Sequence, residues 1–300
     1  THHHSTERFI AVKKFAAALA VVPLVFGLAG CGSTNSSSSS AKKITIGVVG
    51  TESANKVLKE EAKKQGIEIE YKELTDYSQP NPSVDSGSLD MNRFQHIAYL
   101  ANYNVESNKD LQIVGGTNIY PMALFSKKHS NLSDIPQGGR IAIPNDPVNE
   151  ARAINLLKAN NLVKLKSETE SPTVDDVDTA NSKVNVVAVD AAQTVVSLES
   201  VDGSVVNNTF LKDAGLKPSE ALAQDDPKNE SARKYVNLFV AQKDKADDET
   251  YKKIVELFHT KPVMDVVQEE TRGTAVEVNV STDELRQSLA NEEAKLRAKK

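Results

Sequence analysis

The chain contains 300 residues, of which 39% are hydrophobic and 26% are charged, and its formal net charge is -5 at pH 7. This length predicts about two domains. A nucleic-acid partner is not expected, because such proteins present a basic face and none is visible in the sequence. Tryptophan is absent and only 5% of the residues are aromatic, so places where aromatic residues cluster carry information.

The N-terminal segment, residues 1–31, has the pattern of a secretory signal. Two lysines precede an apolar run over residues 15–30, which one proline interrupts. The run is shorter than the roughly 18–20 residues that a membrane-spanning helix needs. It ends in Leu28-Ala29-Gly30-Cys31, which is similar to the lipobox of bacterial lipoproteins. We therefore expect Cys31, the only cysteine, to carry acyl chains such as palmitate that anchor the protein to the extracytoplasmic face of the cell membrane. The alternative is a buried N-terminal helix with an incidental core cysteine.

Two further stretches near the N-terminus are not expected to belong to the folded body. Residues 1–11 include a histidine run and look like a tag remnant or an overextended start. Residues 32–42 are rich in serine with little apolar content, which predicts a flexible tether between the lipid and the fold. The folded region is expected to begin near Lys43.

Strands and helices alternate along the rest of the chain, which predicts an α/β protein. The first predicted helix covers residues 53–65, with Ser53 as its N-cap and Gly66 just beyond its end. The strands are predicted at residues 44–49, 67–71, 111–114, 123–126, 140–143, 184–189, 204–206 and 237–241, and further helices at 149–160 and 249–260. Ser281-Thr-Asp-Glu284 has the spacing of a capping box. It predicts a charged C-terminal helix over residues 281–300, a solvated appendage packed along one stripe of leucines.

Catalytic and metal-binding signatures are absent from the sequence. It contains no G-x-S-x-G, no Walker loop, no H-E-x-x-H and no G-x-G-x-x-G motif. His96, His129 and His259 have no ligand-like spacing to a second histidine or cysteine. No metal and no cofactor are expected, although a serine, a histidine and an aspartate brought together by the fold remain an open alternative.

Four aromatic or imidazole side chains fall in two neighbouring segments. Tyr77 lies among turn formers, and Phe94, His96 and Tyr99 follow within six residues of one another. A helix over residues 95–103 would place His96 and Tyr99 on one face. The alternative is that the aromatic rings belong to the core and that His96 is an ordinary interior histidine.

Arg152 lies near the start of a predicted helix that Asp146 or Asn149 caps. A guanidinium beside the free N–H groups of a helix N-terminus makes a carboxylate site. The alternative is a surface arginine paired with Glu150 or solvent.

Two asparagines occur at the ends of predicted strands. Asn207 follows one strand and Asn237 enters another. Their amides suit a zwitterion, since each offers a donor and an acceptor, but amides at strand ends are also common turn residues.

Taken in order, these segments resemble the NlpA-type methionine-binding lipoproteins, the substrate-binding components of bacterial methionine ABC importers. The resemblance runs from about residue 43 to residue 275. It is carried by these motifs: Asp76-Tyr77-x-x-Pro80-Asn81, Asp90-x-Asn92-x-Phe94-Gln95-His96-x-x-Tyr99-Leu100, Pro144-Asn145-Asp146-Pro147-x-Asn149-x-x-Arg152-Ala153, and the two asparagines at strand ends. The sequence departs from the family at Thr209, where a second asparagine is usual, and at Ala98, where proline is usual.

The resemblance implies a two-lobe α/β architecture of the type II periplasmic-binding-protein kind, with a hinge. Residues 43–124 and 237–280 would form lobe I and residues 125–236 lobe II. The chain would cross between the lobes near residues 122–125 and 235–238.

The resemblance also implies roles for the singled-out residues. Arg152 would bind the ligand carboxylate, and Asn207 and Asn237 the amino-acid head group. Four side chains would surround the ligand side chain: Tyr77, Phe94, His96 and Tyr99.

The implied function is capture of methionine and its delivery to an ABC transporter permease, by a protein that is not an enzyme. Alternatives within this class are another amino acid or a methionine-containing dipeptide. Alternatives from other classes are a secreted lipoprotein hydrolase and, further away, an adhesion or scaffolding protein.

Overall fold

The structure is a computed structural model that describes residues 41–300. The predicted signal segment, Cys31 and most of the serine-rich tether lie outside these residues. In chain order the strands and helices are β1 (Lys42–Val49), α1 (Ser53–Lys64), β2 (Ile67–Leu74), α2 (Pro80–Asp85), β3 (Met91–Asn92), α3 (Ile97–Ser107), β4 (Gln112–Gly116), β5 (Asn118–Ile119), β6 (Ala123–Phe125), β7 (Gly139–Pro144), α4 (Pro147–Ala159), β8 (Val184–Val189), α5 (Thr194–Ser197), β9 (Gly203–Val206), β10 (Ala223–Gln224), β11 (Leu238–Ala241), α6 (Glu249–Phe258), α7 (Lys261–Glu270), β12 (Val276–Glu277) and α8 (Thr282–Ala298). None of the helices in this part of the chain has the length and apolar character needed to cross a membrane.

Lobe I is built on a five-stranded sheet in the order β2-β1-β3-β11-β4. β1 and β3 run parallel, whereas β11 is antiparallel to both of its neighbours. Successive residues of a strand face opposite sides of the sheet. Accordingly, Ile113 packs with α3 and α8 on one side and Val114 packs with α1, α6 and α7 on the other. Helices therefore cover both faces of the sheet.

Lobe II is built on a second five-stranded sheet in the order β10-β6-β9-β7-β8. β7 is parallel to β8 and β9, and β6 is antiparallel to β9 and β10. Leu124 and Val205 face a core that contains Ile154 and Leu157 of α4. The alternate residues of β6 and β9 face a smaller cluster on the opposite side.

Two connections join the lobes. The chain leaves the short β5–β12 ladder after Ile119 and enters the second sheet at Ala123; it leaves that sheet after Gln224 and re-enters the first at Leu238. The predicted first boundary, between residues 124 and 125, falls inside β6, because Ala123 already pairs with Val206 of lobe II. The predicted second boundary, between residues 236 and 237, lies within the return connection.

Two predicted helix starts are wrong. α1 begins at Ser53, so the N-cap position belongs to Glu52 and not to Ser53. The N–H of Ser53 instead donates to the carboxylate of Glu270, which α7 brings from the other end of the chain (3.1 Å). α3 begins at Ile97, which makes His96 its N-cap residue and not a residue on its face.

The C-terminal helix α8 packs on lobe I along the predicted stripe of leucines, and Leu285 and Leu289 belong to the core of that lobe. Leu285 is fully buried and Leu289 is 3% exposed, as the leucine stripe predicts. Arg286 Nε donates to the carbonyl oxygen of Ile113 at 2.9 Å. At Gly116 a Cβ atom would lie 2.6 Å from Leu285 Cδ1, so the absence of a side chain there lets α8 approach β4.

This packing predicts that α8 contributes to the stability of lobe I. Leu285→Ala is expected to lower the free energy of unfolding by about 2–5 kcal/mol, because it leaves a cavity in a closed core. Leu296→Ala, the same change at a partly buried position of the same helix, is the matched control and is expected to cost clearly less. Urea denaturation measures both; equal, small effects would mean that α8 is not part of the core.

Candidate ligand site between the lobes

A cavity lies between the two lobes, and residues from both lobes line it. Its empty volume, including its opening to solvent, is about 410 Å³. The lining residues are Tyr77, Phe94, Gln95, His96, Tyr99, Tyr120, Pro121, Met122, Asn149, Arg152, Asn207, Asn208, Thr209 and Asn237. All seven residues predicted to contact a ligand are therefore brought together, although they span 160 positions of the sequence.

Three aromatic rings form one wall of this cavity. The ring centroids of Tyr77, Phe94 and Tyr99 are 5.5–6.0 Å apart, with the Phe94 and Tyr99 rings edge to face. Tyr99 donates a hydrogen bond to the carbonyl oxygen of Tyr77 (3.0 Å), and the Tyr77 hydroxyl donates to Thr209 Oγ1 of lobe II (2.7 Å). Phe210 packs against Tyr77 from lobe II with a centroid distance of 5.4 Å. The wall thus includes contacts from both lobes.

His96 links the start of α3 to lobe II. Its Nδ1 accepts from the backbone N–H of Tyr99 (3.1 Å), so the neutral ring carries its proton on Nε2, which faces Asn149 Oδ1 at 3.0 Å. Burial, followed by the positive charge of Arg152, lowers the pKa of His96 to about 3. His96 is therefore neutral at physiological pH and donates a hydrogen bond across the cleft.

Arg152 is buried and tightly held, which rules out the interpretation as a free surface arginine. Its Nε donates to Asp225 Oδ2 (2.7 Å), and its Nη2 donates to the carbonyl oxygen of Tyr120 (2.9 Å) and to Asp225 Oδ1 (3.3 Å). The guanidinium also lies 4.1 Å from the centre of the Tyr235 ring. Glu150, the alternative partner, accepts from the N–H of Val174 instead. Within the described residues these bonds use Nε and Nη2, which leaves Nη1 as a donor for a ligand.

The two predicted asparagines occupy different environments. Asn237 forms a backbone bridge with His96, and its Nδ2 donates to the carbonyl oxygen of Tyr235 (3.4 Å). Asn207 is 8% exposed, and its Oδ1 is buried without a hydrogen-bond partner among the described residues. Asn118 has unpaired atoms as well, but it does not line the cavity. A buried acceptor left unpaired costs about 1–3 kcal/mol, so Asn207 is suited to receive a donor from a ligand.

Contacts at the rim of the cleft hold the lobes together. Lys212 Nζ of lobe II donates to the carbonyl oxygen of Thr51 and to Ser53 Oγ of lobe I, both at 2.9 Å. The hydroxyl of Thr51 donates to Asp213. Gly50, at φ +79°, lies so close to lobe II that a Cβ atom would be 2.6 Å from the carbonyl oxygen of Thr209. The structure thus has the cleft in a closed arrangement.

One serine, histidine and aspartate do meet on lobe II, at Ser126, His129 and Asp202. The Ser126 hydroxyl donates to the backbone carbonyl of Asp202 at 2.5 Å, and His129 Nε2 faces Asp202 Oδ1 at 2.9 Å. In these bonds no ring nitrogen faces the serine hydroxyl to take its proton, as a nucleophile would require. None of the three residues lines the cavity. In residues 41–300 no group of three or more histidine, cysteine, aspartate or glutamate side chains is placed to hold a metal ion.

Sequence comparison identifies the family. The sequence model of the NlpA lipoprotein family matches residues 43–279. The chain belongs to this family. The D-methionine-binding lipoprotein MetQ of Yersinia pestis is 34% identical over 275 residues, which cover 88% of this chain and 98% of the relative.

Solved structures of similar proteins agree with this assignment. The substrate-binding protein of a methionine transporter from Streptococcus pneumoniae is 36% identical, with a TM-score of 0.72 over 79% of this chain and 95% of that one. A nutrient-binding protein from Burkholderia cenocepacia, solved bound to methionine, is 33% identical, with a TM-score of 0.71 over 78% of this chain and 99% of that one. The predicted two-lobe α/β architecture of the NlpA-family chain is confirmed.

The sequence analysis missed several residues around the cavity of this NlpA-family chain. Asp225 and Tyr235 fix Arg152, and Asn149 receives the bond from His96. A buried arginine needs a charged partner, but Asp225 lies 73 positions after Arg152, and no local signal selects it among the acidic residues. Thr209, noted only as a departure from the family, bonds to Tyr77.

The lowered pKa of His96 predicts a specific pH dependence of stability. Between pH about 6.5 and the lowered value, the unfolded chain binds a proton that the folded chain does not. Stability therefore falls on acidification, by up to about 1.4 kcal/mol per pH unit. In His96→Asn, which keeps a side-chain acceptor at the helix cap, this component is expected to vanish. The free energy of unfolding of ligand-free protein is measured with denaturant at pH 7 and pH 4.5. Between these two pH values wild type is expected to lose roughly 2–3 kcal/mol more of this free energy than the variant. Parallel pH profiles would contradict the neutral, buried His96.

Proposed function

We propose that this chain is the lipid-anchored solute-binding protein of a methionine ABC importer, which captures methionine outside the cytoplasm and delivers it to the permease. Its relatives named for methionine support the ligand class. The structural observation that supports it most is the pairing of a fixed guanidinium, Arg152, with an unsatisfied buried acceptor, Asn207 Oδ1, in one cavity between two lobes.

The polar end of the cavity suits an α-amino-acid head group. Arg152 is held by three hydrogen bonds and offers Nη1 to a carboxylate, in an environment where charge-assisted bonds are strong. Asn207 Oδ1 accepts the α-ammonium group, and Asn237 adds a further amide. His96 is neutral and carries no positive charge. Arg152 is therefore the cation that would pair with the ligand carboxylate.

The aromatic end suits an unbranched apolar side chain. The edges and faces of Tyr77, Phe94 and Tyr99 are good partners for a polarizable thioether. A charged side chain would lose its hydration there without gaining a partner. The three rings are in contact with one another, so the ligand side chain would pack against them and not between them, and we expect a β-branched side chain to pack there less well than an unbranched one.

Binding and not catalysis is the activity that we propose. The cavity combines Arg152 with amides and aromatic rings, and its lining residues include no serine and no cysteine. A hinge at the two lobe connections would let the cleft open for loading and close on the ligand. Lys212 and Asp213, at the rim, would then help to hold the closed form.

Methionine binding through Arg152 is the central test. Isothermal titration of ligand-stripped wild type with methionine is expected to show binding. Arg152→Ala is expected to weaken it by roughly 100- to 1,000-fold, because a buried charge loses its partner. Arg152→Lys should recover only part, since an ammonium cannot make the planar fork.

The control is Arg140→Ala, the same change at an exposed arginine of lobe II, which should leave binding unchanged. Unchanged affinity in both Arg152 variants would remove Arg152 from the site. A thermal-shift panel tests the ligand itself: stabilisation by another amino acid or a dipeptide, with none by methionine, would reject methionine and retain the transport class. At about 100 times the dissociation constant a true ligand adds ~2.7 kcal/mol of stability.

Anchoring through Cys31 is the second part of the proposal. Cys31→Ser is expected to leave the protein without lipid, and to move it from the membrane fraction to the aqueous fraction of cells. The shift should be nearly complete, because Cys31 is expected to carry all of the acyl chains and stable anchoring needs at least two membrane-binding signals. A variant that fractionates with membranes as wild type does would reject lipidation at Cys31.

A further inference from the structure

The carboxylate of Asp225 lies behind Arg152, outside the ligand cavity. It receives Nε of Arg152 on Oδ2 at 2.7 Å and Nη2 on Oδ1 at 3.3 Å, and Oδ1 also accepts the backbone N–H of Met122 at 2.7 Å. Asp225 does not line the cavity, but it lines the open groove on the other side of Arg152. A ligand in the cavity would therefore touch Arg152 and not Asp225.

The position of Asp225 fixes the charge of the site as well as its geometry. Arg152 is the only charged residue among those that line the cavity, since His96 is neutral with its pKa lowered to about 3. Asp146, the N-cap residue of α4, accepts hydrogen bonds from the backbone N–H and the side-chain amide of Asn149. The charge that directly opposes Arg152 is thus the carboxylate of Asp225, and the pair is neutral.

A neutral pair favours a neutral ligand. The ligand carboxylate gains from the nearby guanidinium, and the ligand ammonium is not repelled, because the positive charge of Arg152 is already balanced. Without Asp225 the guanidinium of Arg152 would lose the carboxylate bonded to it, and the site would become more positive by one charge. It would then attract a net anion and repel an ammonium group a few ångströms away, in a region where weak screening makes such effects large.

We propose that Asp225 is a specificity-determining residue, which acts through Arg152 to make the site select a zwitterionic amino acid over the corresponding net anion. This inference rests on the proposed function. Asp225 also positions Arg152 between the two lobe connections. Asp225 itself belongs to the second connection, just after β10, and it accepts the N–H of Met122, which belongs to the first. A test must therefore separate the charge of Asp225 from its geometric role.

The experiment compares two ligands that differ only in the ammonium group. Dissociation constants for methionine and for 4-(methylthio)butanoate, the same molecule without the amino group, are measured by titration calorimetry. Wild type is expected to prefer methionine strongly. In Asp225→Asn, which keeps the shape and removes the charge, the ratio of the two constants is expected to shrink by roughly tenfold or more, as one unit of charge at close range implies.

Two control variants separate charge from position. Asp226→Asn removes the same charge one residue away, where the side chain is exposed and accepts only from the N–H of Lys228; it should leave the ratio unchanged. Asp225→Glu keeps the charge and shifts its position, so it should retain the preference for methionine even if both ligands bind more weakly.

The outcomes distinguish this inference from the proposed function. If Asp225→Asn weakens both ligands by the same factor, or changes neither, the specificity role is wrong and the function stands. If wild type binds a different amino acid, the ratio is measured with that amino acid and its own des-amino analogue, and the same criterion applies. If no amino acid binds to wild type, the proposed function fails and this inference fails with it.

Discussion

The burial of Arg152 is the constraint on which the rest of the site depends. A guanidinium that is 6% exposed must be paired, and its partners come from both lobe connections: the carbonyl of Tyr120 from one and the carboxylate of Asp225 from the other. The ring of Tyr235 covers its face. The two lobe connections therefore hold the positive charge of Arg152 at the cleft.

The neighbouring groups follow from this charge. His96 lies close enough to Arg152 that burial and repulsion together keep its ring neutral, and the cap of α3 fixes which nitrogen carries the proton. That proton points to Asn149 on α4, the helix that carries Arg152. Closure of the lobes, the protonation state of His96 and the orientation of α4 are therefore parts of one hydrogen-bonded arrangement.

The aromatic wall is built by a different principle. Its three rings pack on one another and on Phe210 from the other lobe, and the Tyr77 hydroxyl adds a polar contact across the cleft to Thr209. The hydroxyl of Thr209 accepts the bond from Tyr77, and Asn207 Oδ1 nearby has no partner among the described residues.

The sequence by itself determined the strands and helices with strong periodicity, the α/β class and the set of seven residues around the cavity. Period-two and helical patterns are local, and the ordered motifs are specific enough to carry the family resemblance. Only the tertiary structure decided the pairing of Arg152 with Asp225, the contact between Ser53 and Glu270, and the docking of α8 through Leu285. Each of these joins positions that lie from 73 to 217 residues apart. No local propensity encodes such pairs, because they are selected by which surfaces the folded sheets bring together.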